Sequence, residues 1–104
     1  MPIKELNKKE FDTFISKGDV IIDFYADWCG PCKVMEPHYK KASENFSKIK
    51  FGKVNVDKEC ELAGKFHVMS IPTTVFFKDS EIIDNSTGAM TYDMIKRKID
   101  ENFK

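Results

Sequence analysis

Hydrophobic positions change their period several times along the chain, and each change marks an element. In "NKKEFDTFISKG" Phe11, Phe14 and Ile15 recur at helical spacing, Asn7 and Glu10 stand three apart as a capping box, and Gly18 supplies a terminator. This predicts a first helix. The stretch "DVIIDFYAD" behaves differently, a run rich in β-branched and aromatic residues at 20 to 26 that is apolar on both faces except at Asp23, as a strand in the middle of a sheet would be. Pro31 suits the first turn of a helix, where its missing N–H leaves no bond unmade. Val34, Met35, Tyr39, Ala42 and Phe46 then continue at roughly helical spacing, with a kink expected at Pro37. "IKFGKVNVD" predicts a second strand at 50–56, followed by a short helix at about 59–66 that Asp57 starts.

Strand, helix and strand make a βαβ unit, and a right-handed crossover sets its two strands parallel, with the helix leaving the carboxyl end of the first. Two further strands, about 73–78 and 81–87, lie so close that only a tight antiparallel hairpin through Asp79 and Ser80 can join them. Thr91 caps a last helix with Met94, Ile95, Ile99 and Phe103 on one face. The expected class is therefore α/β with a central mixed sheet. No repeat, linker or low-complexity segment interrupts it.

Composition narrows the function classes. A chain of 104 residues, 41% hydrophobic with nine Phe, is of a size for one domain, 1–104, with a single buried core. Lys plus Arg equals Asp plus Glu at 17 each, so no net field attracts nucleic acid or an anionic membrane. No apolar run approaches the roughly 20 residues of a membrane span, and the start "MPIKELNKKEF" lacks the apolar stretch of a secretory signal. A cytoplasmic protein is expected. In a reducing compartment, a cysteine pair two residues apart points to catalysis or metal binding rather than to a structural staple.

That pair is Cys29 and Cys32 in "DFYADWCGPCK", residues 23–33. If Pro31 begins the helix, Cys29 lies at its N-terminal edge, where free N–H groups and the macrodipole favour an anion, while Cys32 lies one turn further in and is expected to be more buried. The thiolate is the nucleophile, so Cys29 would attack a substrate disulfide and Cys32 would resolve the mixed disulfide, leaving a Cys29–Cys32 bond. A zinc set of Cys29, Cys32, Cys60 and His67 is the competing reading. Against it, the residues between the two cysteines begin a long amphipathic helix, and a single Cys-X-X-Cys beside a βαβ pattern is the redox arrangement. Cys60 itself reads as a small hydrophobe of the third helix. Trp28, directly before Cys29 at a strand-to-helix turn, reads as part of a substrate surface.

The chain resembles the thioredoxin family: "DFYADWCGPCK", "KVNVD" at 53–57, "SIPT" at 70–73 and "TGA" at 87–89 stand in family order and spacing over essentially the whole length. The resemblance implies a four- or five-stranded mixed sheet flanked by helices on both faces, and general protein disulfide reductase activity. It implies that Asp23 is the buried acid behind Cys32, taking its proton, and that Lys53 is the partner of Asp23. It makes Pro72 a cis-proline lying against the disulfide, with the Ile71 backbone free to pair with an extended client strand. Gly88 and Ala89 would form the opposite low wall of that groove, and Gly30 and Pro31 join Trp28 on its near side. No bound cofactor is implied: the redox-active disulfide is the only redox group, and electrons come from a separate thioredoxin reductase. Clients are disulfide-containing proteins, with no nucleic acid or membrane partner, and the chain is expected to be a monomer. Tyr25 departs from the family, which often has a second Trp there. Gly-Pro between the cysteines points to a reductant. A redox-linked binding module without turnover, and a disulfide oxidant or isomerase, are the alternatives.

Overall fold

Strand β2 (Asp19–Tyr25) runs through the middle of the molecule in a computed structural model that describes residues 3–104. Its side chains divide between two cores, Val20, Ile22 and Phe24 entering one and Ile21 the other, because successive strand residues point to opposite faces. Both faces are apolar because both are covered. The sheet has the order β1 (Ile3–Glu5), β3 (Lys50–Asn55), β2, β4 (Thr73–Lys78), β5 (Glu81–Thr87). β3 is parallel to both β1 and β2, and β4 is antiparallel to β2 and β5, which gives the mixed sheet expected from the pattern. β1 has no counterpart in that pattern. Three residues with one apolar side chain show no alternation, and the strand exists through its pairing with β3, Ile3 to Phe51 and Glu5 to Lys53.

Helix α1 (Lys8–Ile15) begins with the expected capping box: the Glu10 N–H donates to the Asn7 side chain at 3.0 Å, and the Asn7 N–H to the Glu10 carboxylate at 3.3 Å. With α3 (Cys60–Lys65) it covers one face of the sheet, Phe11, Ile15 and Leu62 packing on Val20, Ile22, Phe24, Val54 and Phe77. α2 (Gly30–Asn45) and α4 (Tyr92–Asn102) cover the other, with Met35, Tyr39, Ala42, Ile95 and Ile99 over Ile21, Phe51 and Phe76. Val34 and Met94 are exposed, against the expectation that they share these apolar faces. Each precedes a buried residue by one position, and one position is about 100° of helix.

Two other expectations need correction. Asp57 does not cap α3: Glu59 occupies the cap position without a side-chain bond, and the Asn55 side chain accepts the Asp57 and Lys58 N–H groups at 2.9 and 3.2 Å. Cys60 is exposed rather than core, since α3 turns Leu62 inward and Cys60 lies two positions away. The hairpin between β4 and β5 does turn at Asp79 and Ser80, both with positive φ (48° and 74°), the geometry a two-residue connection requires. Among the described residues, no helix is long and apolar enough to cross a membrane.

Candidate active site

β2 ends at Tyr25, and four residues later Cys29 caps α2. Cys29 is extended, its carbonyl accepts the Lys33 N–H at 3.2 Å, and its sulfur accepts the Cys32 N–H at 3.2 Å. Pro31 in the first turn pre-sets the helical φ where no N–H is needed. This geometry brings the two cysteines together as a disulfide, with Cα atoms 5.3 Å apart. Among the described residues, no group of three or more His, Cys, Asp and Glu is arranged to hold a metal.

Cys29 and Cys32 are 3% and 5% exposed, so the expected difference in burial is absent in the oxidised pair. They differ instead in what they line. Cys29 faces an open groove of about 470 Å³, together with Trp28, Gly30, Pro31 and Ile71. Cys32 faces a separate cavity of about 280 Å³ on the other side, shared with Asp23, Tyr25, Glu36 and Lys53. The disulfide separates an outer groove from an inner cavity.

An exposed indole and a backbone carbonyl border the groove at Cys29. Trp28 is 70% exposed, and its indole N–H donates to the Asp57 carboxylate at 2.8 Å, which fixes the ring without burying it. The Ile71 carbonyl lies 3.8 Å from the Cys29 sulfur. The Ile71–Pro72 peptide is cis, and the Pro72 carbonyl accepts the Gly88 N–H at 2.8 Å. Gly88 has φ +101°, a conformation L side chains rarely adopt. Gly88 thus contacts Pro72 through its backbone, and Val56, Val68, Met69 and Ser70 also line the groove beside Cys29. The sequence reading does not single out those four. An exposed apolar residue in a loop carries no periodicity, and Met69, 92% exposed, is of this kind.

The inner cavity holds the residue that breaks the β2 pattern. Asp23 is 7% exposed, and one carboxylate oxygen has no hydrogen-bond partner among the described residues. Burial pushes its carboxyl from the ordinary 3.8 up to about 7; the Lys53 charge opposes that shift, and Glu36 adds to it. Lys53 is the direct cross-strand neighbour of Asp23. Its ammonium nevertheless pairs with Glu5, 3.8 Å away. The Tyr39 hydroxyl lies 2.7 Å from the Gly52 carbonyl and 3.0 Å from that of Ile21.

Comparison with known proteins gives one consistent result. A family model described as Thioredoxin matches residues 2–101. The thioredoxin of Chlamydia caviae is 37% identical over 100 residues, covering 96% of this chain and 98% of its own. That of Bacillus subtilis is 40% identical over 89 residues, covering 85% and 86%. Among solved structures, a Malassezia sympodialis thioredoxin superposes with a TM-score of 0.87 at 32% identity, covering 98% of this chain and 91% of that one.

Proposed function

Because this chain belongs to the thioredoxin family and is a protein disulfide oxidoreductase working through a redox-active disulfide, we propose specific roles for the residues around that bond. In the reduced protein Cys29 is the nucleophile. Its thiolate attacks one sulfur of a client disulfide, a new S–S bond forms between chain and client, and the other client sulfur leaves as a thiolate and takes a proton. The end of α2 helps here, since the Cys32 N–H already points at the Cys29 sulfur and the helix N-terminus favours negative charge.

Cys32 resolves the intermediate. Asp23, ionised, takes the Cys32 proton; the Cys32 thiolate then attacks the Cys29 sulfur, and the second client thiolate leaves. Two electrons have passed to the client, and the chain carries its disulfide again. Attack within one helical turn is fast because the two sulfurs are held together. A carboxyl with a value near 7 is well suited to this step, as a base moves protons best near its own pKa. Lys53 stabilises the charge that Asp23 carries at other stages of the cycle. The client chain lies extended along Ile71 and Pro72, pairing with the Ile71 backbone, and its side chains rest on Trp28, Gly30, Pro31 and Met69. Gly88 and Ala89, with their small side chains, form the opposite low wall of this groove.

One observation carries the division of labour: each cysteine lines a different depression, Cys29 the outer and Cys32 the inner. Disulfide-containing client proteins and a reductase are what the family implies. Our reading is one thioredoxin domain over residues 1–104, acting as a monomer in the cytoplasm, and the match over residues 2–101 supports the domain assignment. Cys32→Ser tests the mechanism. It keeps the attacking thiolate and removes the only fast exit from the mixed disulfide, so clients accumulate as covalent adducts that dithiothreitol releases. Mass spectrometry of lysate incubated with this variant reads the adducts, and their absence, with Cys29→Ser as the blank, would reverse the assignment.

A further inference from the structure

Strand register places five polar residues in one row across the sheet: Glu5 opposite Lys53, Lys53 opposite Asp23, Asp23 opposite Thr74, and Thr74 opposite Ser86. The neighbouring row on the same face reads Ile3, Phe51, Ile21 and Phe76, which belong to the core beneath α2 and α4. Polar side chains on a face that is otherwise core need partners, and this row has one cation for two carboxylates. Lys53 stands between Glu5 on β1 and Asp23 on β2. Its ammonium is 3.8 Å from Glu5 Oε1, whereas Asp23 Oδ1 is without a partner among the described residues.

Glu5 is held in turn. The Tyr25 hydroxyl lies 2.7 and 2.8 Å from its two carboxylate oxygens, and the Lys53 ammonium stands 5.2 Å over the Tyr25 ring centroid, a cation–π distance. Side chains from three adjacent strands thus close a triangle, two members of which, Tyr25 and Lys53, line the cavity shared by Asp23 and Cys32. We infer that Glu5 is a positioning residue of the redox site: clamped by Tyr25, it holds the Lys53 ammonium toward β1 and so sets how readily Asp23 takes up and gives back the Cys32 proton.

A lysine given over to Asp23 would stabilise its charged form, and a lysine shared with a second carboxylate does less. The negative charge of Glu5 acts with the same sign, since like charges disfavour each other's ionisation. Both effects keep Asp23 a stronger base. The other groups around Asp23 are Cys32, Lys33, Glu36 and Tyr39 from α2, Thr74 from β4, and Tyr25 and Asp27 at the end of β2. A change confined to Glu5 alters none of their charges. β1 is then more than an edge strand, because it brings to the site the residue that competes for the cation.

This inference rests on the reading of Asp23 as the base, and one experiment separates the two. The Asp23 carboxyl carbon is followed by NMR in the oxidised full chain, assigned against Asp23→Asn, from about pH 4 to about pH 9. Glu5→Gln, which retains an acceptor for Tyr25, is expected to lower the midpoint by about 0.5 pH unit, a modest shift because Glu5 and Lys53 are both partly open to solvent. Lys53→Gln is expected to raise the midpoint, and in its background Glu5→Gln should lose at least half its effect. A midpoint that Glu5→Gln leaves unmoved, or moves equally with and without Lys53, overturns the inference while the base assignment stands. An Asp23 signal that does not titrate in the neutral range in the unaltered protein overturns both.

Discussion

Trp28 and Met69 are large apolar side chains left in the open in the groove that Cys29 faces, and an apolar surface beside a reactive sulfur has a use only if something covers it. Client docking is the use we propose. Ile71→Arg and Met69→Asp change the groove without touching either sulfur, so they should act on the recognition of a folded or extended protein more than on attack at a small disulfide. The ratio of kcat/KM for a protein disulfide to that for a small aromatic disulfide is expected to fall about tenfold, the effect of losing one well-packed contact worth about 1.4 kcal/mol. Equal losses on both substrates would remove the groove from the account. Individual residues were legible in the sequence where they break a pattern. Cys29 and Cys32 stand out by spacing, Asp23 by its charge in an apolar strand, and Pro72 through the family's motif. Val68 and Met69 give no such signal, because loop residues are brought to a site by chain reversal that no local period encodes, and Val56 and Ser70 stand in the family's motifs without a role of their own. Cys60 misled for the opposite reason: cysteine is often buried, and nothing in a six-residue helix reports its facing.

At the scale of elements, the long strongly patterned ones were readable and those that depend on a neighbour were not. α1, β2, β4 and α4 begin and end close to where caps, period and turn residues place them. β1 is visible only as the partner of β3, and α3 only roughly, since the Asn55 side chain rather than a cap at Asp57 organises the turn before it. Gly52 shows how closely the elements are fitted. A Cβ there would lie 2.7 Å from Leu6 Cδ1 and 3.0 Å from Ile22 Cδ1, and both residues are buried with little room to yield. Overpacking typically costs about 1 to 3 kcal/mol, while alanine recovers about 0.5 to 1 kcal/mol of the backbone entropy that glycine loses in a strand. Gly52→Ala should therefore lower stability by about 1 to 2 kcal/mol, seen as a lower urea midpoint with an unchanged m-value. A midpoint at or above that of the unaltered protein would mean that Leu6 and Ile22 move aside freely.

For the molecule as a whole, the acid proposed as the catalytic base opposes stability. Asp23 sits at the centre of the sheet between two cores, and its carboxyl is held at about 7 against an ordinary 3.8, so the native state binds a proton that the unfolded chain releases earlier. Where the folded state holds more protons, stability falls as pH rises; the favourable contribution is complete below about 3.8 and is lost as pH climbs through about 7. At 1.36 kcal/mol per pH unit, the loss is at most about 4 kcal/mol, a large share of the 5 to 15 kcal/mol typical of a domain. The other carboxylates have pH dependences of their own, so the quantity to measure is the difference between oxidised Asp23→Asn and the oxidised unaltered protein, by denaturant unfolding across this range. That difference should grow in favour of the Asn variant from about pH 4 to about 7 and level off above it, since the amide never has to carry a buried charge. The same variant should resolve mixed disulfides more slowly at neutral pH, having no base for Cys32. A stability difference that stays flat with pH would mean that folding leaves the Asp23 charge in contact with water, and the inner cavity would then have no base to offer Cys32.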